Sequence, residues 1–179
     1  MSLTHIARLL HERNLIDAQI AEVTDRPMTA GHLGEWIASQ LFPIELEKNA
    51  ANRGYDGRFT EGPLRGKRVN VKWYLKQEGL LDLIAPELLD YYLVFTGPIS
   101  AAFGSRGTTR PWCITNIFLF DAEQVTAQQM ARGVGTGTAA SLLQGQWAAA
   151  EVYPGRRSEL LPITDEQSMA LRQFAPLMV

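Results

Sequence analysis

The sequence predicts an α/β domain in which a mixed β-sheet is flanked by helices and preceded by a helical extension. Three observations lead there: two helix-periodic segments come first, short segments rich in β-branched and aromatic residues follow, and helix-like segments return at the end. The 179 residues suffice for one domain with a substantial core. No internal repeat or low-complexity tract divides them. The expected layout is a helical extension over 1–28, a core over 29–120 and a helical or irregular part over 121–179.

Ile6, Leu9, Leu10, Ile16, Ile20 and Val23 recur at helical spacing, which predicts an amphipathic helix from Thr4 to Val23. Asp25-Arg26-Pro27 stops it. Thr29 is a suitable N-cap for a second helix reaching about Phe42, ahead of Pro43. Leu33, Trp36, Ile37 and Leu41 form one stripe on that helix, with Ala38 and Phe42 toward the other side. Gly31 and Gly34 are expected to let a neighbouring backbone approach. Strand-like segments then run over Ile44–Glu47, Tyr55–Phe59, Arg68–Tyr74, Asp90–Thr96 and Trp112–Phe120. Phe103–Arg110 reads as a glycine-rich loop between the last two. Further helices are expected over Asp121–Arg132 and Thr164–Phe174, and Gly133–Trp147 stays ambiguous.

Composition narrows the class. Hydrophobic residues make up 46% and charged residues 20%, an ordinary globular balance. No apolar run approaches the roughly 20 residues that span a bilayer. Met1–His5 is not a basic segment leading into an apolar one, so no secretory leader is expected. The single cysteine, Cys113, excludes an internal disulfide and fits a reducing compartment, so a cytoplasmic location is expected.

The net charge of −2 does not suggest a general nucleic-acid coat, yet its distribution is uneven. Residues 48–76 carry eight basic side chains against Asp56 and Glu61, so this stretch is +6 and the rest of the chain −8. A local positive field in an acidic protein suits a bounded site for an anion such as a phosphodiester. By charge alone, a solvated hairpin edge guarded by Lys and Arg is the better reading of the stretch.

Arg68–Tyr74 is the most informative segment. Alternation places Val69, Val71 and Trp73 on one face and Asn70, Lys72 and Tyr74 on the other. An inward lysine is costly unless something anionic meets it. Upstream, Gly54-Tyr55-Asp56-Gly57 sets an acid between permissive residues, and the turn-rich Glu61–Lys67 predicts a hairpin that brings Asp56 and Lys72 to neighbouring strands. Glu35 sits within the nearly all-apolar second helix, where a carboxylate is costly unless paired, protonated or metal-bound. Taken singly, a turn aspartate, a solvated lysine and an exposed helical glutamate are the plainer explanations.

Together, Gly-Glu-Trp-Ile-Ala (34–38), Gly-Tyr-Asp-Gly (54–57) and Val-Asn-Val-Lys (69–72) resemble the PD-(D/E)xK, or restriction-endonuclease-like, nuclease superfamily, closest to its small stand-alone bacterial members. The resemblance covers residues 29–75 by motif, and the strands over 90–96 and 112–120 agree in order. It implies a restriction-endonuclease-like mixed sheet and a hydrolase that cuts DNA with Mg²⁺ or Mn²⁺. It also implies a role for each matching residue. Asp56 would bind the metal. Lys72 would position or activate the attacking water and stabilise phosphate charge. Glu35 would reach the metal directly or through water, and Val71 would contribute only its backbone carbonyl. The departure is Asn70, which stands where the usual motif has Asp or Glu. Two carboxylates about 4 Å apart repel by roughly 4 kcal/mol at an effective dielectric near 20, and a divalent cation relieves this. Two acids, an amide oxygen and a carbonyl make a weaker cage than three acids do.

Arg53, Arg58, Lys76, Arg106 and Arg110 are the expected phosphate contacts. Trp73 and Tyr74 beside Lys72 are placed to stack on bases, although core packing is the better reading for Trp73. His5, His11 and His32 lack metal-ligand spacing, and backbone contact at the helix start is the expected role of His32. Gly133–Thr138 lacks the Lys-Ser/Thr ending of a phosphate loop and reads as a connection. Two other functions stand beside the nuclease: a degenerate module that holds nucleic acid without cutting it, marked by Asn70, and an assembly protein that forms a homodimer through its first helix.

Overall fold

The computed structural model describes residues 2–48, 54–99, 111–135, 137, 139–155 and 158–176. Helix α1 (Leu3–Thr24) starts where the Ser2 hydroxyl accepts the His5 N–H and ends at Asp25, whose φ of 52° is left-handed. Helix α2 (Ala30–Leu41) is capped by Thr29, as its sequence predicts. Its most buried line is Gly34, Ile37 and Ala38, with Leu33 and Trp36 only partly buried at the margin. The expected stripe is therefore rotated toward the small residues. Close packing explains the rotation: a Cβ on Gly34 would lie 3.1 Å from the Trp73 Cβ, so the helix rests almost directly on the sheet. Gly31 has no such neighbour, and the expectation of close approach there does not hold.

After α2 come β1 (Ile44–Leu46), β2 (Gly57–Phe59), β3 (Arg68–Tyr74), β4 (Leu80–Asp82), a 3₁₀ turn (Pro86–Leu88), β5 (Tyr91–Thr96) and β6 (Asn116–Asp121). The chain continues through α3 (Ala122–Met130), β7 (Ala139–Ser141), α4 (Gln144–Ala150), β8 (Glu151–Tyr153) and α5 (Asp165–Arg172). Six strands form one mixed sheet in the order β1-β2-β3-β5-β6-β8, in which only β3 and β5 run parallel. Strands β4 and β7 pair separately as an antiparallel ribbon. The strand expected from Trp112 begins only at Asn116. Before it, Ile114 donates its N–H to the Phe174 carbonyl rather than to the sheet.

Alternation along β5 and β6 divides the core. Leu93, Phe95, Ile117 and Leu119 join Val69, Val71 and Trp73 under α2 and beside Leu171 of α5. On the opposite face Tyr92, Val94, Phe118 and Phe120 pack with Leu81, Ala140, Val125 and Trp147, from the β4/β7 ribbon, α3 and α4. A strand covered on both faces reads as a continuous apolar run, which is why Tyr91–Thr96 is so hydrophobic. The ambiguous stretch resolves into β7 and the start of α4. Cys113 is a buried free thiol.

Candidate functional site

The site lies along the edge of β3, just beyond the end of β2. Two glycines shape the approach to it. Gly54 has φ +119°, and a side chain there would run into Leu88; a Cβ on Gly57 would come 2.6 Å from the Glu45 carbonyl of β1. Between them Asp56 is tied to β3 twice. Its N–H donates to the Val69 carbonyl at 2.8 Å, and its Oδ2 accepts the Val71 N–H at 2.6 Å. The carboxylate thus completes a backbone hydrogen bond that the short β2 leaves open. The strand period sets the Val71 carbonyl on this same edge.

Glu35 reaches the site from above, because Gly34 and the turn after it lie flat on Val71 and Trp73. Its side chain is 15% exposed, and its carboxylate accepts a hydrogen bond from Arg26 Nη1 at 2.5 Å. Arg26 also points Nη2 at the Glu47 carbonyl, 3.5 Å away. Burial is the main force raising the Glu35 carboxyl above its ordinary range; the Asp56 charge adds to it, and Arg26 and His32 oppose it. Burial likewise pushes Asp56 up, against the Val71 N–H, the Lys72 ammonium and the Arg26 guanidinium, which pull it down. Asp56 is therefore the hub: it feels the charges of Lys72 and Arg26 and adds its own to Glu35, although these groups come from a strand entry, a strand, a connector and a helix.

Asn70 and Lys72 share the β3 face away from Val71, and Lys72 is half-buried. Asn70 is buried and its Oδ1 has no hydrogen-bond partner among the described residues. Such an orphan costs about 1–3 kcal/mol, and among the described residues Gln77, Thr96, Thr126 and Trp147 carry one too. Glu35, Asp56, Asn70 and the Val71 carbonyl offer only oxygen donors, the chemistry that suits Mg²⁺ or Mn²⁺ rather than a softer metal, although Asn70 lies on the β3 face away from α2. Among the described residues, no three His, Cys, Asp or Glu side chains gather into a metal-holding group. The two acids are thus a sparse set, and the cation already beside Glu35 is Arg26.

The expected phosphate contacts fare differently. Arg58 is exposed, lies 4.9 Å over the Tyr55 ring, donates to the Tyr55 hydroxyl at 3.0 Å and faces Glu47 at 3.8 Å. Lys76 is buried and paired with Glu78 at 2.9 Å, beyond the end of β3. Arg53, Arg106, Arg110 and the 103–110 loop lie outside the described residues. Lys67 and Arg68 are drawn to Asp90, so part of the positive stretch is neutralised by acids elsewhere. Trp73 is buried, meets Trp112 edge-on at 5.5 Å and donates Nε1–H to the Cys113 carbonyl. Tyr74 donates its hydroxyl to Asp82. Trp73 is thus part of the core, the better reading of it, and Tyr74 is partly buried against the second core cluster. The His32 ring contacts the Pro27 carbonyl at 3.0 Å, the backbone role expected of it.

Arg26 is the site residue that sequence reasoning missed. It reads as part of a helix stop, and nothing local pairs it with an acid nine positions on. No helix among the described residues is long and apolar enough to cross a membrane. No known family profile matches this chain, and no curated protein sequence matches it either.

Proposed function

We propose that the chain is a restriction-endonuclease-like, metal-dependent nuclease that hydrolyses phosphodiester bonds in DNA. The observation that carries this reading is the approach of Glu35 from α2 and of Lys72 from β3 to the same Asp56, with both carboxyl groups raised by burial. Perturbed titratable groups brought together from separate elements favour a working site over a set of structural ion pairs. The mixed sheet flanked by helices and the orphaned Asn70 Oδ1 support it.

Asp56, Glu35, the Val71 carbonyl and Asn70 would hold Mg²⁺ or Mn²⁺, which supplies Lewis acidity and a bound water of lowered pKa. The chain's own residues supply the rest. Lys72 carries a positive charge beside Asp56, where it can hold a phosphate oxygen and orient the attacking water. Asp56 is fixed by its bond to the Val71 N–H, so its second oxygen keeps a constant direction. Arg26 balances Glu35 until another cation arrives.

Asn70 and the sparse acid set favour a second reading, a nucleic-acid-binding module of this fold that does not cut. The deciding experiment incubates supercoiled, linear and single-stranded DNA with Mg²⁺ or Mn²⁺, comparing wild type with Asp56→Ala and Lys72→Ala. Metal-dependent cleavage is expected, falling by about 10²–10⁴ in Lys72→Ala. An unchanged rate in that variant removes this mechanism. No cleavage by folded wild type, with salt-sensitive DNA binding weakened in Lys72→Ala, establishes the second reading.

A further inference from the structure

We propose that α1 forms the interface of a homodimer, packing antiparallel against α1 of a second copy. This does not rest on the nuclease reading. The helix is 22 residues long, about 33 Å, and Thr24 is its only buried residue. It has no acid in its first turn and no base in its last, so it gains little from its own dipole. A helix of this kind is marginal alone in water and takes most of its stability from packing an apolar face. That face is uncovered here, with Ile6 45%, Ile16 56% and Val23 69% exposed.

The sequence of the face identifies its occupant. Ile6, Leu9, Arg13, Ile16, Ile20 and Val23 follow alternating spacings of three and four, the a and d positions of a coiled-coil seam. One polar residue, Arg13, interrupts it near the middle. A parallel pair would set Arg13 against the partner's Arg13 in one central layer and place Glu12 beside the partner's Asp17 once on each side, all like-charge contacts. The antiparallel pair joins Ile6 to the partner's Val23, Leu9 to the partner's Ile20 and Arg13 to the partner's Ile16. Arg13 then lies beside the partner's Asp17, once on each side of the two-fold axis. The Arg13–Asp17 attraction now spans one turn of the same helix at 3.5 Å with Arg13 largely exposed, and the pairing redirects it across the interface.

The core offers a matching seat. Where α1 meets the body, Ile16, Ile20 and Val23 line an apolar groove of about 300 Å³ whose other wall is Leu33 and Trp36 of α2. In the antiparallel register the partner's Ile6 and Leu9 arrive at this groove. The interface is self-complementary, as a two-fold dimer requires.

Light scattering and sedimentation of the full chain should give a dimer at roughly 100 µM. Leu9→Glu and Ile16→Glu should be monomers with unchanged near-ultraviolet circular dichroism. Arg13→Asp and Asp17→Arg should each weaken the dimer alone and form a heterodimer when mixed, an outcome that a contact within one helix does not produce. Ile6→Cys mixed with Val23→Cys should cross-link to each other under mild oxidation, whereas a parallel pair would join Ile6→Cys to itself. A wild-type monomer, or a dimer untouched by both glutamate variants, overturns the proposal. So does a monomer whose helicity rises only on anionic phospholipid vesicles, which would make a bilayer surface the occupant.

Discussion

Asp56 does two jobs that pull against each other: it closes the β3 ladder through the Val71 N–H, and it keeps a charge where burial disfavours one. Because its folded-state pKa is raised, the native state holds the proton more tightly than the unfolded chain. Its destabilising effect is full above the folded pKa and fades as pH falls toward the ordinary value of about 3.9. Asp56→Asn keeps an acceptor for the Val71 N–H, so it should melt several degrees higher than wild type at pH 7–8, with the advantage shrinking toward pH 4. Thermal melts across that range check this. The same variant removes a repulsion felt by Glu35, whose carboxyl titration by NMR should move down. Added Mn²⁺ should raise the Tm of wild type and leave Asp56→Asn unmoved. Arg26→Gln takes the counter-ion from both acids, so it should melt lower than wild type without metal and bind Mn²⁺ more tightly by titration calorimetry. At this scale Glu35 and Lys72 stand out in the sequence because each violates its local pattern, whereas Asp56 stands out only beside the other two motifs. Arg26 violates none, and its meaning comes from a contact made only after α2 has docked.

Elements that follow a strong local period are legible before folding. Helix α2 with its Thr29 cap, β3 and β5 are expected and found within a residue or two. The β4/β7 ribbon is invisible beforehand, since two three-residue strands with no shared pattern meet from distant parts of the chain. The edge strand β8 is hidden likewise, and α4 begins inside a stretch whose periodicity is ambiguous. How α2 seats on β3 is only half legible: the glycine is visible, but which side of it faces the sheet is not. Gly34→Leu should drive α2 off the Trp73 Cβ and cost about 1–3 kcal/mol, several degrees in Tm. Gly31→Ala, whose Cβ would meet only the Thr29 hydroxyl at 3.9 Å and the Glu35 carboxylate at 4.0 Å, should melt no lower than wild type. Differential scanning calorimetry of the two variants separates seating from simple helix propensity.

Across the whole molecule, the two faces of the sheet divide the labour. The α2 face brings Glu35 to the candidate site, and the opposite face, toward which Asn70 and Lys72 turn, is locked farther along by aromatic packing in which Trp147 stands edge-on to Phe118 at 4.8 Å and to Phe120 at 5.0 Å. Trp147→Ala should cost about 3–5 kcal/mol by chemical denaturation while leaving the Glu35 and Asp56 titrations in place. The fold class is legible in the sequence because alternation and helix period agree over long spans. The ribbon and the edge strand are not, because tertiary pairing alone creates them. Helix α1 stands outside both faces, joined to the body at Thr24, and this divides the protein in time as well as in space. Its amides should exchange with solvent deuterium through local opening, while those of β5, buried on both faces, should wait for global unfolding. If a second copy covers α1, only the first set should slow as the protein is concentrated.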